Sequence, residues 1–179
     1  EKDDYMIRDL ALGNRSYRRF YQDHSIDRGT LRELVDLARY SASGTNRQPL
    51  KYILTCEPEK NTLIFAHLSW AAALKDWPGP SEGERPSGYI TVLLDTEISK
   101  SAGCDHGIAA QSILLGASEK ELGGCMLAAM KRDGLRKDLK IPERYEILLV
   151  IALGKPKEKV VLEGMGPDDD YNYWNDDEG

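Results

Sequence analysis

The chain has 179 residues, the length of a single domain, and its 41% hydrophobic and 30% charged residues exclude wholesale disorder. Its longest apolar run, Ile147 to Leu153, is too short to cross a bilayer, so we expect no membrane association. The net charge is −6, and all six surplus acids lie in residues 167–179, which also hold three aromatic residues. A neutral body with this acidic tail is a poor candidate for binding nucleic acid, and we expect the aromatic residues to dock the tail on another surface. Three scattered cysteines are too few for a disulfide framework, which predicts a cytoplasmic setting.

Hydrophobic periodicity predicts two helices in the first quarter of the chain. The first runs from Asp4 to Leu12 and stops at Gly13. The second opens at Thr30, where Glu33 completes a capping box three residues later. The next segment, residues 41–49, is polar and rich in turn formers, which predicts a loop.

The remainder of the chain mixes strands and helices without βαβ alternation, which predicts one α+β domain over residues 1–179. Runs of β-branched and apolar residues predict three strands, at Lys51–Cys56, Tyr89–Asp95 and Tyr145–Leu153. The last of these is apolar enough to be buried on both faces. Further helices are expected at Asn61–Leu74, Gly107–Ser118 and Leu127–Leu139.

The predicted helix Gly107–Ser118 is apolar on nearly every side and rich in small residues. Such a helix is expected to be buried all round, in the core of its own chain or against another subunit. Within the chain, the segment Asn61–Leu74 is the alternative cover. We interpret Asp105, just before this helix, as its cap.

Several common catalytic motifs are absent from the sequence: it has no GxGxxG, phosphate loop, GxSxG, CxxC or HExxH motif. The adjacent residues Cys104, Asp105 and His106 rarely converge on one ion, so we expect no metal site. What remains is a set of polar loops suited to anions and polar ring systems.

Two of these loops follow predicted helices. Arg15, Ser16 and Arg18 place two guanidinium groups around a hydroxyl, an arrangement that grips a phosphate or forms a solvated basic turn. The loop Ser43–Pro49 carries the amides of Asn46 and Gln48, which suit a flat heterocycle or satisfy the local backbone.

A third segment contains the consecutive glycines Gly123 and Gly124, preceded by Leu122. We expect a turn here, whose backbone N–H groups face a ligand atom that gains negative charge. The alternative is a helix end that needs glycine for steric reasons.

Together and in this order, the segments resemble the FMN-dependent nitroreductase family. That family has an Arg-Ser-x-Arg segment after its first helix and a Ser-Gly/Ser-x-Asn-x-Gln-Pro loop after a later one. Many members continue with Asp-x-Gly-Ile-Ala-Ala-Gln, matched from Asp105 to Gln111, and with a Leu-Gly-x-Cys turn, matched from Leu122 to Cys125. The resemblance covers residues 4–156. The chain departs from it at Asn14, Ala42 and Leu50, and in lacking a basic C-terminal stretch.

The resemblance implies a homodimer whose subunits have a central, mostly antiparallel sheet flanked by helices. It also implies an enzyme that passes hydride from NADH or NADPH through FMN to a small-molecule acceptor, such as a nitro-aromatic or a quinone, in a ping-pong cycle. The implied FMN-binding residues are Arg15, Ser16 and Arg18 at the phosphate and ribityl end, Ser43, Gly44, Asn46 and Gln48 around the ring, and Leu122, Gly123 and Gly124 on its N5/O4 side. No residue is expected to act as a nucleophile or as an acid–base pair, because the flavin carries the redox chemistry.

Two other functions remain open at this point. One is a flavin-binding sensor or reservoir without turnover. The other is a ligand-free interaction module that uses the aromatic acidic tail.

Overall fold

The structure, a computed structural model, describes residues 6–74 and 77–174. In these ranges the chain forms five α-helices and five strands, in the order α1 (Ile7–Gly13), β1 (Phe20–Tyr21), α2 (Arg28–Arg39), β2 (Leu50–Thr55), α3 (Pro58–Phe65), β3 (Gly88–Asp95), α4 (Asp105–Glu119), β4 (Gly123–Leu127), α5 (Arg132–Asp138) and β5 (Tyr145–Pro156). A short 3-10 helix, Gly44–Asn46, lies between α2 and β2. The predicted start of the first helix at Asp4 lies outside the described residues. Of the helices described, none has the length and apolar character needed to cross a membrane.

The five strands form one antiparallel sheet. The long strand β5 pairs with β1, β3 and β4, and β3 pairs in turn with β2. The predicted α+β fold with a central antiparallel sheet flanked by helices is therefore confirmed.

The sheet separates two hydrophobic clusters, as expected for strands buried on both faces. Along β3, Ile90 and Val92 pack in the cluster shared with α2 and α4, whereas Tyr89 and Leu93 pack in the cluster shared with α3 and α5. A bulge at residue 148 of β5 interrupts the pairing with β3. Helices thus cover each face of the sheet.

Small residues of α4 allow close packing against α2. A Cβ atom on Gly116 would lie 2.2 Å from Leu37 Cδ1, so a larger residue here would require that leucine side chain to move. The expectation that α4 is buried on every side is wrong for the single chain, because Ile108 is 41% exposed and Gln111 is exposed as well. The segment Asn61–Leu74 does not cover α4, since its buried side chains belong to the cluster on the other face of the sheet.

Three helix predictions need correction. Helix α2 begins at Arg28 rather than at Thr30, because the Asp27 carboxylate accepts a hydrogen bond from the Thr30 amide at 2.9 Å and takes the capping role. The Thr30 amide and hydroxyl also lower the pKa of Asp27. The third helix begins three residues earlier than predicted, with Pro58 in its first turn, and ends at Phe65.

The segment predicted as a glycine turn followed by a long helix is strand β4, with only the short α5 after it. Gly123–Leu127 pairs with β5, and this pairing satisfies backbone groups that a turn would have left to solvent or ligand. Tertiary pairing here overrides local helix propensity, and the helix begins at Arg132.

Candidate functional site

The Ser43–Pro49 loop connects α2 to β2 and is tied to the first residue of α4. The Ser43 hydroxyl donates a hydrogen bond to Asp105 Oδ2 at 2.7 Å, and the Gly44 amide donates to Asp105 Oδ1 at 2.9 Å. The Gln48 amide in turn donates to Ser43 Oγ at 2.9 Å. The interpretation of Asp105 as the cap of α4 is therefore wrong: Cys104 occupies the cap position, and the Asp105 carboxylate holds the loop instead.

The conformation of this loop is unusual for its residue types. Thr45, Asn46 and Gln48 have φ values of 51°, 55° and 52°, in the left-handed region that non-glycine residues rarely occupy. The Gln48 side chain donates from Nε2 to Asn46 Oδ1 at 2.9 Å. Since a primary amide has both donors and an acceptor, this pairing leaves an Asn46 donor and a Gln48 acceptor for a ligand edge.

Two cavities lie on either side of Ala42, Ser43 and Asp105, which line both of them. The larger, of about 600 Å³, also has walls from the loop, from residues 99–104 and from Ile108. The smaller, of about 360 Å³, extends between α2 and β2 and includes Tyr52. Burial, with a smaller contribution from the Asp105 charge, raises the pKa of Tyr52 to about 12.

The Arg15–Arg18 segment lies beside β4, so the structure brings the first and third predicted segments together. The Tyr17 amide donates to the Gly124 carbonyl at 3.1 Å, and Ser16 forms a parallel bridge with Gly124. A Cβ atom on Gly123 would lie 2.4 Å from Tyr17 Cδ2, which explains the need for glycine under this ring. Burial and the Glu158 charge raise the pKa of Tyr17, against the opposing effect of Arg15.

The guanidinium groups of this segment are only partly satisfied. Arg15 donates to the Ala11 carbonyl at 2.6 Å and Arg18 to the Ser16 carbonyl at 3.1 Å. The Nε atoms of both side chains are buried and have no hydrogen-bond partner among the described residues. Buried donors without an acceptor are costly, and an anion beside these two atoms would offset that cost.

Residues near the C-terminal end contact the same segment: the sequence analysis missed Glu158, whereas the expected docking of the aromatic tail occurs at Tyr173. The Glu158 carboxylate accepts hydrogen bonds from the backbone amides of Arg18 and Arg19. Tyr173 of the acidic tail stacks on Arg18, with its ring centre 4.4 Å from the guanidinium carbon, whereas Trp174 is exposed. No local signal marks Glu158, which lies between lysines in the sequence, as a partner of a residue 140 positions away.

Leu122, Gly123 and Gly124 serve packing in ways that the sequence analysis did not expect. The Leu122 side chain is buried in the core between the sheet and α4. A Cβ atom on Gly124 would lie 2.5 Å from the Ala152 carbonyl oxygen, so this glycine permits close approach of β4 and β5. The neighbouring Cys125 is buried, and burial raises the pKa of its thiol despite the nearby Arg18.

The predicted site therefore falls into two parts in a single chain. The Arg15–Arg18 segment and Gly123–Gly124 form one part, and the Ser43–Pro49 loop forms the other. Among the described residues, neither of the two cavities has a wall from the Arg15–Arg18 segment or from Gly123–Gly124. The described part of the chain also has no group of three His, Cys, Asp or Glu residues that could hold a metal ion.

Comparison with known proteins gives a consistent result. The model of the Nitroreductase family matches residues 11–86 and 97–155. A curated relative from Archaeoglobus fulgidus, provisionally named as an NADH dehydrogenase/NAD(P)H nitroreductase, is 26% identical over 149 residues, which span 79% of this chain and 80% of that protein.

Solved structures share the fold at lower identity. A nitroreductase family protein from Streptococcus pneumoniae superposes with a TM-score of 0.74 at 16% identity, over 95% of this chain and all of that one (100%). An FMN-dependent nitroreductase from Clostridium difficile superposes with a TM-score of 0.69 at 21% identity, over 91% of this chain and 95% of that one. With the fold, the polar segments and the family match in agreement, the chain belongs to the Nitroreductase family.

Proposed function

We propose that the protein is an FMN-dependent oxidoreductase that takes hydride from NADH or NADPH and reduces a nitro-aromatic, quinone or related acceptor. The observation that carries the proposal is the pair of buried, unpartnered Nε donors on Arg15 and Arg18, next to Gly123–Gly124. Membership of the Nitroreductase family supports an oxidoreductase role. The name of the archaeal relative supports NADH or NADPH as donor, and that of the clostridial structure supports FMN.

The donor set fits the phosphate end of FMN. Arg15 and Arg18 have guanidinium N–H groups in need of an acceptor, and the exposed Ser16 adds a hydroxyl between them. Charge-assisted hydrogen bonds from arginine suit a phosphate because they are strong and directional. FMN would supply hydride-transfer chemistry when bound.

The ring end of the cofactor would meet the Ser43–Pro49 loop and β4. Asn46 and Gln48 offer an amide donor and acceptor to the polar edge of the ring, with Ser43 and Gly44 at the wall of the larger cavity. Leu122 would position the start of β4, and a backbone N–H of Gly123 or Gly124 that points away from β5 would stabilise negative charge on the reduced ring. Donor and acceptor would occupy the same pocket in turn, which predicts ping-pong kinetics with parallel double-reciprocal lines.

A homodimer would unite the two parts of the site. Helix α1 has no buried residue, and Met6 and Ile7 are each 68% exposed. Helix α4 exposes Ile108, which also lines the larger cavity. Exposed apolar side chains of this kind favour association, and a two-fold axis would set the loop of one protomer beside the arginine segment of its partner.

The test is anaerobic titration of the purified protein, first with FMN and then with NADH or NADPH. We expect the protein to bind FMN and the bound flavin to bleach on addition of the nicotinamide, with colour restored by a quinone. Binding without bleaching by either nicotinamide would instead favour a flavin sensor or reservoir. Absence of FMN binding at micromolar concentration would contradict the proposal and would favour the alternative of a ligand-free interaction module.

A further inference from the structure

We propose that Asp105 is a positioning residue, which holds the Ser43–Pro49 loop in its ring-binding conformation before FMN arrives. The inference rests on the proposed function and deepens it. Asp105 is only 8% exposed, lies at the start of α4, and is separated from the loop by about 60 positions in the sequence. Its carboxylate is thus a tertiary clamp rather than a local turn contact.

Both carboxylate oxygens of Asp105 are used in holding the loop. Oδ2 accepts from the Ser43 hydroxyl, and Oδ1 accepts from the Gly44 amide. Because the Ser43 hydroxyl donates its hydrogen bond to Asp105, the lone pairs of its oxygen are oriented to accept a hydrogen bond from the Gln48 amide. The carboxylate therefore controls both ends of the segment that carries Asn46 and Gln48.

The backbone between these ends requires such a clamp. Thr45, Asn46 and Gln48 all adopt positive φ values, each at a cost that the residue could relieve by returning to an extended conformation. Without Asp105 we expect the segment to sample those alternatives, and FMN binding would then have to restore order at the expense of affinity. A loop ordered in advance avoids that loss.

The position of the clamp also affects the shape of the site. Asp105, Ser43 and Ala42 form the shared wall between the larger and smaller cavities. If the wall moved, the two cavities would open into one another and the ring would lose its fixed boundary. We therefore expect the Asp105 contact to affect FMN binding more than nicotinamide or acceptor affinity.

The first measurement uses the full-length protein without FMN, so that it is independent of the proposed cofactor. In Asp105→Ala we expect amide hydrogen exchange at Gly44 and Gln48 to accelerate by about 10-fold relative to the wild type. In Ser43→Ala, which leaves α4 and its first residue intact, we expect the same at Gln48 but less at Gly44. Glu119→Ala removes a carboxylate from the exposed opposite end of α4 and is the matched control, expected to change neither amide.

The second measurement is the FMN dissociation constant of the same variants. We expect about 10-fold weaker binding in Asp105→Ala, partial recovery in Asp105→Asn, whose oxygen still accepts from Gly44, and wild-type affinity in Glu119→Ala. The double variant Ser43→Ala/Asp105→Ala should lose less than the two single effects combined, because both remove one connected network.

The outcomes separate this inference from the function on which it rests. A wild-type protein that binds no FMN contradicts the proposed function. Wild-type binding of FMN together with unchanged exchange at Gly44 and Gln48 in Asp105→Ala overturns the clamp alone. Faster exchange with unchanged FMN affinity overturns the claim that the clamped conformation is the ring-binding one.

Discussion

The two parts of the candidate site are both polar segments that follow a helix, yet they are ordered in opposite ways. The Ser43–Pro49 loop is held from within the fold, by a buried carboxylate at the start of α4 and by hydrogen bonds among its own residues. The Arg15–Arg18 segment is held mainly through its backbone, by Gly124 and Glu158. Its guanidinium groups donate to the nearby Ala11 and Ser16 carbonyls, but their Nε atoms have no partner among the described residues.

This difference separates a loop whose polar groups are already paired from a basic segment that keeps unpaired buried donors. The loop has already paired most of the polar groups that define its shape, so a ligand edge can meet it with little reorganisation. The arginine segment retains the buried donors that an anion would satisfy. Variants that affect the two parts unequally test the comparison.

The largest effect is expected where the two parts would meet across a dimer. Ile108→Glu places a charge on the exposed face of α4, so we expect dimers to dissociate and FMN to be released together. Analytical ultracentrifugation with absorbance of the flavin measures both. Leu63→Glu, at a residue of α3 with 42% exposure against 41% for Ile108, is the control and should remain a flavin-loaded dimer.

A wild-type protein that sediments as a flavin-loaded monomer contradicts the two-chain site. Glu at Ile113 or Leu114 cannot make this test, because both side chains lie in the core of their own chain.

Removal of one guanidinium should weaken the charged part without affecting the preformed loop. Arg18→Ala is expected to reduce FMN affinity by about 1.5–3 kcal/mol, the usual value of hydrogen bonds to a charged group. Equilibrium titration by flavin fluorescence gives the value. Arg28→Ala, an exposed arginine at the start of α2, serves as the control. Equal affinity of Arg18→Ala and wild type would contradict the assignment of the phosphate end.

Glycine substitutions test the packing of the two parts. Gly124→Ala forces a methyl group towards the Ala152 carbonyl, and we expect a loss of about 1–3 kcal/mol in the free energy of unfolding. At Gly44 the nearest atom to a new Cβ would be Asp105 Oδ1 at 3.5 Å, an ordinary contact, so Gly44→Ala should change stability little. Urea denaturation of both variants measures the difference. If Gly124→Ala lowers the free energy of unfolding as little as Gly44→Ala does, then β4 has more freedom than the structure indicates.

The acidic tail offers a smaller effect on the arginine segment. Stacking of Tyr173 on the face of Arg18 leaves the N–H edges of the guanidinium free for an anion, so the ring should help to orient it. In Tyr173→Ala we expect FMN affinity to fall by about 0.5–1 kcal/mol, whereas Tyr173→Phe should retain it. Tighter FMN binding in Tyr173→Ala would mean that the tail competes with the cofactor.

The effect that is smallest at neutral pH is expected at Tyr52, behind the loop, because it develops only at high pH. The pKa of Tyr52 is raised to about 12 in the folded protein against 10.0 ordinarily, so the fold favours its neutral phenol. That contribution to stability is complete below about pH 10 and is lost as the pH rises through 12. Tyr52→Phe cannot ionise, so its free energy of unfolding should fall less steeply over this interval. Tyr171→Phe, at a residue with 84% exposure, is the control and should follow the wild type.

Several features of this protein could be predicted from its sequence because they depend on local spacing. The α+β class, the central helix, the last strand and the order of the polar segments follow from residue periodicity and from motifs of a few residues. Such features survive folding because the interactions that cause them lie within one turn or one strand.

Other features were decided only by contacts between distant parts of the chain. Gly123–Leu127 has the glycines of a turn and the following residues of a helix, but pairing with β5 makes it a strand. Asp105 stands where a helix cap is expected, but its carboxylate accepts hydrogen bonds from Ser43 and Gly44 instead of capping the helix. The backbone groups of β4 and the buried Asp105 carboxylate both need hydrogen-bond partners, and the fold decides which groups lie close enough to serve. Those partners are about 30 to 60 residues away in the chain, so the neighbouring sequence cannot identify them.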